Sequence, residues 1–495
     1  MSTPSKTGGS LTAEARRISE KIKASGSVVV ASHIDADGIS AASIASSALD
    51  RAGIGHEVMF LKKLDEEAIR HLGNVARKSL VWLTDLGSAY ASKFGTSNIV
   101  ITDHHETEER SEREEAVQTT LFTYAEFGHL NPQFFGYAGA RDISGAGLAY
   151  LVAMEMDEEN VELVALAIIG AIGDMQDQEA RRLTGLNAGI VESGVRSGRI
   201  KKSLDIRFFG TETRTLTKLL EYATDPLLPG LTGNPVACEE FYRMLKIDTG
   251  TAEGPRHWSG LTQSEKHKVI DALSRRLLEN GCDERDVERL TGEVYTFPHE
   301  RKGSPTREAR EFATLLNSCG RNDMAPLGLR ICKGDRGEAL ENALALLREH
   351  RESISNALFF VRDLGIAQSG SIQHFHCADQ VKDTLVGAIV GILLGSGEAD
   401  RSKPLVGFAV AKEPSGEFKI KVSARAAYDL VTKGLNLSSA VKDAAQSVGG
   451  IGGGHNVAAG ATLPLGKEEE FLARLDRNVR EQLGAHCMAS SRIAL

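Results

Sequence analysis

The chain has 495 residues, which exceeds the size at which one hydrophobic core usually suffices, so two or three domains are expected. Its net charge of -9 argues against a uniformly basic nucleic-acid-binding protein, although local basic clusters are compatible with it. Scattered cysteines without a CxxC pair argue against a zinc ribbon or a disulfide framework, and a polar N-terminus with short apolar runs argues against a membrane protein, so we expect a reduced, cytoplasmic protein.

Helix and strand patterns alternate through the first 200 residues. After a tail over residues 1–10 that we expect to be disordered, a helical pattern begins at Leu11. Four short apolar segments with the composition of strands follow, namely GSVVVAS, HEVMFL, SLVWLTD and SNIVITD. Helix-like segments separate the first three of them. This alternation predicts an α/β domain with a parallel sheet over residues 11–200.

Acidic and histidine side chains follow these strands. His33, Asp35 and Asp37 come at the end of the first strand, Asp85 after the third and Asp103 after the fourth. Because ligands of open α/β sheets bind at the carboxyl ends of the strands, we expect these groups to converge on one crevice. The alternation of the first three residues would place them on one face of an extended strand.

Further ligands extend this set. Asp174 ends the helix-like segment ENVELVALAIIGAIGDMQD, and ITDHHET adds His104 and His105, so the set contains carboxylates and imidazoles but no thiolates. Such sites suit Mn²⁺ or Mg²⁺, and the imidazoles are also compatible with Zn²⁺ or Fe. A single strand-end Asp is more often a helix cap, but buried carboxylates gathered at three strand ends would repel one another unless cations lay between them. Two metals sharing one carboxylate would favour phosphoester hydrolysis.

Three further segments follow the first domain. Residues 201–300 are charged and mostly helical, which predicts an insertion, and residues 301–350 contain helices that complete the first domain and connect onward. Residues 351–495 carry the strand candidates ALFFVRD, PLVGFAVAK and EFKIKVSA, with helices between them and a late glycine-rich loop. They predict a second, smaller α/β domain.

Five separated motifs resemble those of a known family. SHIDADG, TDLG, TDHH and IGDMQD resemble the four motifs of the DHH phosphoesterase superfamily, and VGGIGGGHNVAAGATLP resembles the phosphate-binding motif of its companion DHHA1 domain. NPQFFGYAGARDISGAGLAY and DPLLPGLTGN are similar to segments of archaeal RecJ-like proteins, including the GINS-associated nucleases. The resemblance implies a DHH catalytic domain with a parallel sheet, a mostly helical insertion and a DHHA1 substrate-binding domain.

The resemblance also implies roles for the ligand residues. One metal would be held by three of them: His33, Asp35 and Asp85. The other would be held by four, among which Asp85 is the bridge: Asp37, Asp85, His104 and Asp174. Asp103 would orient the imidazole of His104 from behind, as metal-bound histidines commonly require. His105 would then face the scissile phosphate.

The second domain would supply substrate contacts. Glycines let backbone N–H groups approach phosphate oxygens, so the run GGIGGGHN predicts a phosphate-binding loop with His455 as a further donor. The glycines of that loop are Gly452, Gly453 and Gly454. Ser423 and Arg425 alternate on a strand candidate and resemble the Ser-x-Arg phosphate contact of RecJ-like nucleases. Without that resemblance, the pair would indicate an exposed strand edge.

Two basic regions have alternative interpretations. In LLNSCGR, Asn317 and Arg321 resemble a segment near the nucleic-acid end in RecJ-like proteins, which makes Arg321 a candidate phosphate ligand, but an Arg after a helix-ending Gly is often a solvated cap. The segment RSGRIKKSLDIRFFGTETRTLTKLL concentrates Arg and Lys. It is either a solvated face or a track for a single strand, with Phe208 and Phe209 available for stacking.

The resemblance implies a two-metal phosphodiesterase that prefers Mn²⁺ over Mg²⁺. It would degrade single-stranded DNA or RNA from an end, in a cleft between the DHH and DHHA1 domains. Its cellular role would be in DNA replication or repair. Two alternatives are open. One is an oligoribonuclease or cyclic-dinucleotide phosphodiesterase, which would prefer very short substrates. The other is a replication scaffold that binds GINS and the replicative helicase. The complete ligand set argues against a purely structural role, and no membrane partner is expected.

Overall fold

The computed structural model describes residues 10–94, 98–107, 128–223, 225–252, 254–413 and 416–492. The chain divides into two compact units, Met1–Leu347 and Arg348–Leu495. The disordered tail predicted for residues 1–10 lies outside the described residues except for Ser10. Among the helices of the described ranges, none combines the length and the hydrophobicity that a bilayer crossing requires.

A five-stranded sheet lies at the centre of the first unit. Its strands are β1 (Ser27–His33), β2 (Gly55–Leu61), β3 (Leu80–Thr84), β4 (Ile99–Thr102) and β5 (His129–Leu130). They lie in the order β2-β1-β3-β4-β5, and every neighbouring pair is parallel. The parallel α/β fold predicted from the alternating pattern is therefore confirmed.

Apolar side chains on both faces of this sheet are covered, as parallel sheets require. The helices of this part are α1 (Leu11–Lys23), α2 (Ala36–Arg51), α3 (Glu66–Val75), α4 (Gly145–Met156), α5 (Val164–Gly173) and α6 (Gly185–Arg196). One face, with Val30 and Trp82, packs into a core with α1, α2, α4 and α5. The other face, with Val81 and Leu83, packs against α3 and Phe94, which follows the 3-10 helix Ser88–Lys93. Further 3-10 helices span Pro132–Phe135 and Glu158–Leu163.

The middle region is mostly helical, as predicted, and has its own core. It contains β6 (Lys201–Ile206), α7 (Leu216–Glu221), α8 (Pro235–Met244), β7 (Gly250–Thr251), β8 (Gly254–Pro255), the 3-10 helix Trp258–Gly260, α9 (Gln263–Glu279), α10 (Glu284–Arg289) and β9 (Thr291–Thr296). β6 pairs with β9 in an antiparallel ribbon, so the two ends of the insertion lie side by side. Phe208 is buried in this core, so the prediction that its ring is available for stacking is wrong.

Three helices follow the insertion: α11 (Ala309–Arg321), α12 (Ala325–Cys332) and α13 (Glu338–Leu364). The helix α11 packs against α2 and α5. The strand predicted at ALFFVRD is wrong, because these residues form the last turns of α13. Ile354, Ala357 and Val361 recur at helical spacing and pack into the core of the second unit, whereas Phe359 is 74% exposed.

The second unit is a mixed sheet with helices on both faces. Its elements are β10 (Ala367–Ser369), β11 (Ile372–His376), α14 (Asp383–Gly395), β12 (Leu405–Lys412), β13 (Phe418–Arg425), α15 (Tyr428–Thr432), α16 (Leu437–Ser447), β14 (Ile451–Gly454), β15 (Ala458–Pro464) and α17 (Glu468–Arg492). The strand order is β10-β11-β12-β13-β15-β14, and only β11 and β12 run parallel. This confirms the smaller α/β domain.

The glycine-rich segment of this unit is a strand, so the prediction of a loop is wrong. Its glycines pair with β15, with Gly452 opposite Ala461 and Gly453 opposite Gly460, and they form the edge strand β14. The ladder of backbone hydrogen bonds holds the strand in place although glycine has little intrinsic preference for it.

Candidate metal centre

The carboxyl ends of three neighbouring strands bring the predicted ligands to one edge of the first sheet. β1 ends at His33, Asp85 follows β3 directly, and Asp103 and His104 follow β4. Because β1, β3 and β4 are adjacent and parallel, these ends lie side by side. Asp174 is carried by a helix and not by a strand, since it directly follows the last residue of α5.

The first motif is a strand-to-helix turn, and the expectation that its three side chains share one strand face is wrong. β1 ends at His33, and Asp35 is the N-cap of α2, accepting a hydrogen bond from the Gly38 N–H at 2.9 Å. Asp37 lies in the first turn of α2 and is fully buried. Asp35 suits the N-cap because its side chain accepts a backbone N–H group of the first helical turn, and the turn from β1 into α2 brings the three groups together.

Asp37 is held by the start of another helix. Its two oxygens accept hydrogen bonds from the backbone N–H groups of Gly145 and Ala146, at 2.7 and 2.9 Å, at the N-terminus of α4. This positive helix end favours the carboxylate. Burial, followed by the nearby Asp174 carboxylate, nevertheless raises the pKa of Asp37 to about 6. The protein therefore keeps two acids close together at an electrostatic cost.

Glycine is required where the helices approach these carboxylates. A Cβ atom on Gly145 would lie 2.6 Å from the Cβ and Oδ1 atoms of Asp85. A Cβ atom on Gly170, within α5, would lie 2.2 Å from Oδ1 of Asp37. Neither distance is possible between nonbonded heavy atoms, so α4 and α5 can pack onto the acidic cluster only through glycine.

Asp85 lies at the middle of the cluster. Its φ of 58° is in the left-handed region that non-glycine residues rarely adopt, which is typical of functional sites. The side chain is 1% exposed, and in the described part of the chain neither of its oxygens has a hydrogen-bond partner. Burial, followed by the charges of Asp37 and Asp35, raises its pKa well above the usual range. A cation between these carboxylates would remove this cost.

Two groups of ligand atoms share Asp85. In the first, Nδ1 of His33 lies 2.8 Å from Oδ2 of Asp35 and 3.7 Å from Oδ2 of Asp85. In the second, Nε2 of His104 lies 3.3 Å from Oδ1 of Asp85, 3.0 Å from Asp174 and 3.7 Å from Asp37. Each group therefore uses a different oxygen of the Asp85 carboxylate. The ligand atoms of His33, Asp35 and Asp85 lie within 4.8 Å of one another, and so do those of Asp37, His104 and Asp174, so each set is compact enough for one metal ion.

His104 is oriented by a backbone carbonyl, which corrects the prediction that Asp103 orients it. Its Nδ1 donates a hydrogen bond to the Gly139 carbonyl at 2.8 Å, so Nε2 of the neutral ring carries the lone pair that faces the carboxylates. Among the described residues, Nε2 has no hydrogen-bond partner. The prediction failed because Gly139 lies 35 positions away and a carbonyl leaves no side-chain signal.

Asp103 orients His105 instead. Its Oδ1 accepts hydrogen bonds from the backbone N–H and the Nδ1 of His105, at 3.2 and 2.7 Å, and its Oδ2 accepts one from the Ser88 N–H at 2.7 Å. Despite burial, these contacts lower the pKa of Asp103, and the same carboxylate raises the pKa of His105. The imidazole of His105 is 55% exposed, and its ring centre lies 4.4 Å from that of His104. His105 is thus the accessible histidine beside the cluster.

The structure also brings the candidate substrate contacts of the second unit together. Ser423 is paired with Gly460 on β15, which in turn is paired with Gly453 on β14. Arg425 is exposed, and its guanidinium lies against Gly391 of α14. His455 follows β14 in the turn to β15 and is exposed. Gly452 and Gly454 flank Gly453 on the same strand, so all these residues lie at one end of the sheet.

The segment around Arg321 divides into two parts. Arg321 is the last residue of α11 and is exposed. Asn317 instead faces the acidic cluster, since its Oδ1 accepts a hydrogen bond from the Ala36 N–H at 2.9 Å. Gly320 of the same helix lies so close to the Ile34 carbonyl that a Cβ would be 1.9 Å from its oxygen. The helix α11 therefore supports the turn that carries Asp35 and Asp37, a role that the sequence did not indicate.

Family models match most of the chain in three parts: the N-terminal domain of the DHH family over residues 27–172, the DHH-CID domain over 208–291 and the DHHA1 domain over 376–481. An uncharacterised protein of Methanocaldococcus jannaschii is 30% identical over 462 residues, covering 92% of this chain and 94% of its own. The chain belongs to the DHH phosphoesterase superfamily. This DHH protein therefore combines the DHH and DHHA1 domains that the five motifs predicted.

Solved structures share the fold of this DHH protein. RecJ from Thermus thermophilus, in complex with Mn²⁺, aligns with a TM-score of 0.53 and 14% identity, covering 95% of this chain and 55% of that chain. CDC45 from Entamoeba histolytica aligns with a TM-score of 0.61 and 10% identity, covering 94% and 99%. At these identities the likeness concerns the architecture, and the chain spans about half the length of the Thermus protein.

Proposed function

We propose that this DHH protein is a divalent-metal-dependent phosphodiesterase that degrades single-stranded DNA or RNA from an end. The observation that carries the proposal is the buried Asp85 carboxylate, whose two oxygens are unpartnered in the described part of the chain and face two separate groups of ligands. Buried polar atoms of a stable protein normally have partners, and a shared carboxylate between two O/N ligand groups is suited to a pair of cations.

The residues fit Mn²⁺ or Mg²⁺. The donors are carboxylate oxygens and imidazole nitrogens, and thiolates are absent from the described clusters. Of the two proposed ions, one would be held by His33, Asp35 and Asp85. The other would be held by the four residues Asp37, Asp85, His104 and Asp174. When bound, such a pair of ions supplies an activated water and neutralises charge on a phosphoryl group.

His105 is proposed to contact the scissile phosphate. Asp103 is buried and fixes the Nδ1 side of the imidazole, which leaves Nε2 as the atom available to substrate. The ring is half-exposed directly beside the acidic cluster, so a phosphate held there is within reach of its N–H donor. In this role His105 positions the phosphate and stabilises charge on its oxygens.

The second unit is proposed to bind the rest of the strand. Ser423 and Arg425 project from the same side of β13, and Gly453 lies in register with Ser423 across the sheet, with open space where a side chain would be. A hydroxyl, a guanidinium and an unobstructed backbone together can bind phosphate oxygens. His455 would add a donor at the end of the strand. Arg321 remains a prediction, as does binding to GINS and the replicative helicase.

Digestion of end-labelled strands tests the proposal. Single-stranded DNA and RNA, labelled at either end, would be incubated with Mn²⁺, Mg²⁺ or chelator, beside dinucleotides. Metal-dependent stepwise shortening from one end is the expected result. Cleavage restricted to the shortest substrates would replace the exonuclease with an enzyme that removes small oligonucleotides. No cleavage of any substrate, with metal binding intact, would favour the scaffold role.

A further inference from the structure

A cavity of about 730 Å³ lies in the first unit, and its lining contains none of the proposed ligands of the metal ions. One wall comes from residues that follow Asp174 and from α11, and the other comes from the insertion. Five arginines line it: Arg181, Arg207, Arg285, Arg289 and Arg310. The volume is in the range of sites that bind nucleotide-sized ligands.

Two of these arginines are fixed from behind by a single carboxylate. Arg207 and Arg310 both contact Oδ2 of Asp177 at 2.6 Å, and Asp177 is fully buried. One carboxylate cannot neutralise two guanidinium groups, and both side chains are held rigidly where they face the cavity. Such prearranged donors bind an anion with little loss of side-chain entropy.

The other three arginines of the cavity are weakly paired or unpaired. Arg181 lies 3.3 Å from Glu288, and Arg289 lies 3.4 Å from Asp225, in pairs whose side chains are all at least one-third exposed. Exposed pairs of this kind contribute little and are easily exchanged for another anion. Arg285, on α10, has no hydrogen-bond or ion-pair partner among the described residues. The five arginines outnumber the three acidic residues of the lining, Glu179, Asp225 and Glu288, so the cavity offers positive charge to a ligand.

Aromatic rings form another side of the cavity. The guanidinium of Arg214 lies 4.9 Å from the ring centre of Phe209 and 5.0 Å from that of Tyr222. Both rings line the cavity, and Tyr222 is 49% exposed. Aromatic rings beside arginines form surfaces on which nucleobases stack, whereas an acidic peptide would use the charges but not the rings.

The cavity is close to the metal centre along the chain. Gln178 lines it and is four residues after Asp174, so their Cα atoms are separated by at most about 14 Å. A strand whose phosphate lies beside Asp174 therefore reaches the cavity within a few nucleotides.

We propose that this cavity binds a nucleotide of the substrate strand, with its phosphate held by the arginines and its base stacked on Tyr222. The inference rests on the proposed function and deepens it, because it assigns part of the strand to the insertion as well as to the second unit. It predicts that strands long enough to reach the cavity bind more tightly than dinucleotides.

The test uses the full chain and a fluorescein-labelled thymidine 12-mer. Binding is measured by anisotropy in chelator, and hydrolysis of the 12-mer and of a thymidine dinucleotide is measured with Mn²⁺. Arg285→Ala should weaken binding of the 12-mer about tenfold and raise its KM similarly, while the dinucleotide is unaffected. The slope of log affinity against log salt should fall by about 0.7, as expected for one lost phosphate contact with a single strand.

Stacking is tested separately. Tyr222→Leu should weaken 12-mer binding about tenfold, and Tyr222→Phe should retain it, because the base stacks on the ring and not on the hydroxyl. Arg243→Ala is the matched control, since Arg243 is an exposed arginine of the insertion that pairs with Glu240 outside the cavity. This variant should bind both substrates like the parent chain.

The outcomes separate this inference from the proposed function. If the parent chain cleaves the 12-mer and both Arg285→Ala and Tyr222→Leu bind it normally, the cavity does not hold the strand and the proposed function stands. If Arg285→Ala impairs the dinucleotide as much as the 12-mer, the loss is structural and the inference is also overturned. A parent chain that neither binds nor cleaves any strand would contradict both.

Discussion

Asn317 and Ala36 are 281 positions apart in the sequence, yet Oδ1 of Asn317 accepts the backbone N–H of Ala36 at 2.9 Å. Ala36 lies between Asp35 and Asp37, one from each proposed ligand group. The hydrogen bond therefore fixes the turn that sets the spacing of the two groups. A residue outside both proposed ligand groups thus supports the turn between them.

We expect Asn317→Ala to weaken Mn²⁺ binding about 10- to 100-fold, as loss of a supporting hydrogen bond does in other metal sites. The free energy of unfolding without metal should fall by only about 1 kcal/mol. Calorimetric titration with Mn²⁺ and chemical denaturation in chelator measure the two effects. Asn317→Asp keeps the acceptor oxygen and should restore most of the affinity. Equal affinity in Asn317→Ala and the parent chain would show that the turn holds itself.

Replacing Asp85 should separate stability from activity. Asp85→Asn removes the carboxylate shared by the two ligand groups, so hydrolysis should fall to background and Mn²⁺ binding should weaken. Without metal, the same variant should be more stable by about 1 to 3 kcal/mol, because a buried carboxylate beside Asp35 and Asp37 is no longer present. Thermal unfolding with Mn²⁺ and with chelator measures the change in metal binding and the change in stability, and a hydrolysis assay with Mn²⁺ measures turnover. A variant that keeps near-normal turnover would contradict the shared-carboxylate arrangement.

Much of the metal centre could be predicted because parallel strands place their carboxyl ends at one edge. Once β1, β3 and β4 are neighbours, the residues after them meet whatever the details of the loops. The spacing of His33, Asp35 and Asp37 fits an extended strand as well as a strand that turns into a helix, so it could not predict that Asp35 is an N-cap. The supports of the site were missed because they are backbone groups or distant side chains, as with Gly139 and Asn317.

The errors in the second unit have a related cause. ALFFVRD has the apolar, aromatic composition of a strand, but it continues a helix whose buried positions begin far upstream, so the tertiary environment decides its structure. The glycines from Gly452 to Gly454 have little intrinsic preference for a strand, and they form one because they pair with β15. In both segments the deciding contacts lie outside the segment itself: in the buried faces that α13 follows, and in the neighbouring strand β15.

Gly145 is expected to be sensitive to a single methyl group. In Gly145→Ala the new Cβ atom would lie 2.6 Å from the Cβ atom of Asp85 and 2.8 Å from the Cα atom of Asp85. The helix α4 must therefore move away from the acidic cluster. The free energy of unfolding should fall by about 1 to 3 kcal/mol, with weaker Mn²⁺ binding. Denaturation and metal titration measure these effects.

Gly189→Ala is the matched control, because Gly189 lies inside α6 and a Cβ there would meet nothing within 4 Å. That substitution should be neutral or stabilise by about 0.5 to 1 kcal/mol, as expected for alanine in a helix. If both variants behave alike, the close approach at Gly145 has no consequence.

Arg425 should affect substrate binding and not turnover. Its guanidinium is exposed at the end of β13 beside the turn that carries His455, so Arg425→Ala should raise KM for a single strand about tenfold and leave kcat nearly unchanged. Arg480→Ala, which removes an exposed arginine of α17 paired with Asp476, is the control. Steady-state kinetics with one labelled strand decides the matter. A large fall in kcat at constant KM would place Arg425 in the chemical step.

Glu311 should make stability depend on pH. It is buried in α11, where Oε1 accepts the Glu212 N–H at 2.8 Å and Oε2 accepts the Thr213 hydroxyl, so it joins α11 to the insertion. Burial raises the pKa of Glu311 from 4.5 to about 7. Between these values the unfolded chain releases the proton and the folded chain keeps it. The contribution of Glu311 to the free energy of unfolding is therefore fully present below pH 4.5 and is lost as the pH rises through 7.

Glu311→Gln cannot ionise and should remove this dependence. The variant should match the parent chain near pH 4.5 and exceed its free energy of unfolding at pH 8 by up to about 3 kcal/mol, since one pKa unit corresponds to about 1.4 kcal/mol. Urea denaturation at several pH values, in chelator, measures the difference. Glu279→Gln, at an exposed position on α9, is the control. Its free energy of unfolding should vary with pH as that of the parent chain does. Parallel curves for Glu311→Gln and the parent chain would mean that the Glu311 carboxyl ionises normally in the folded protein.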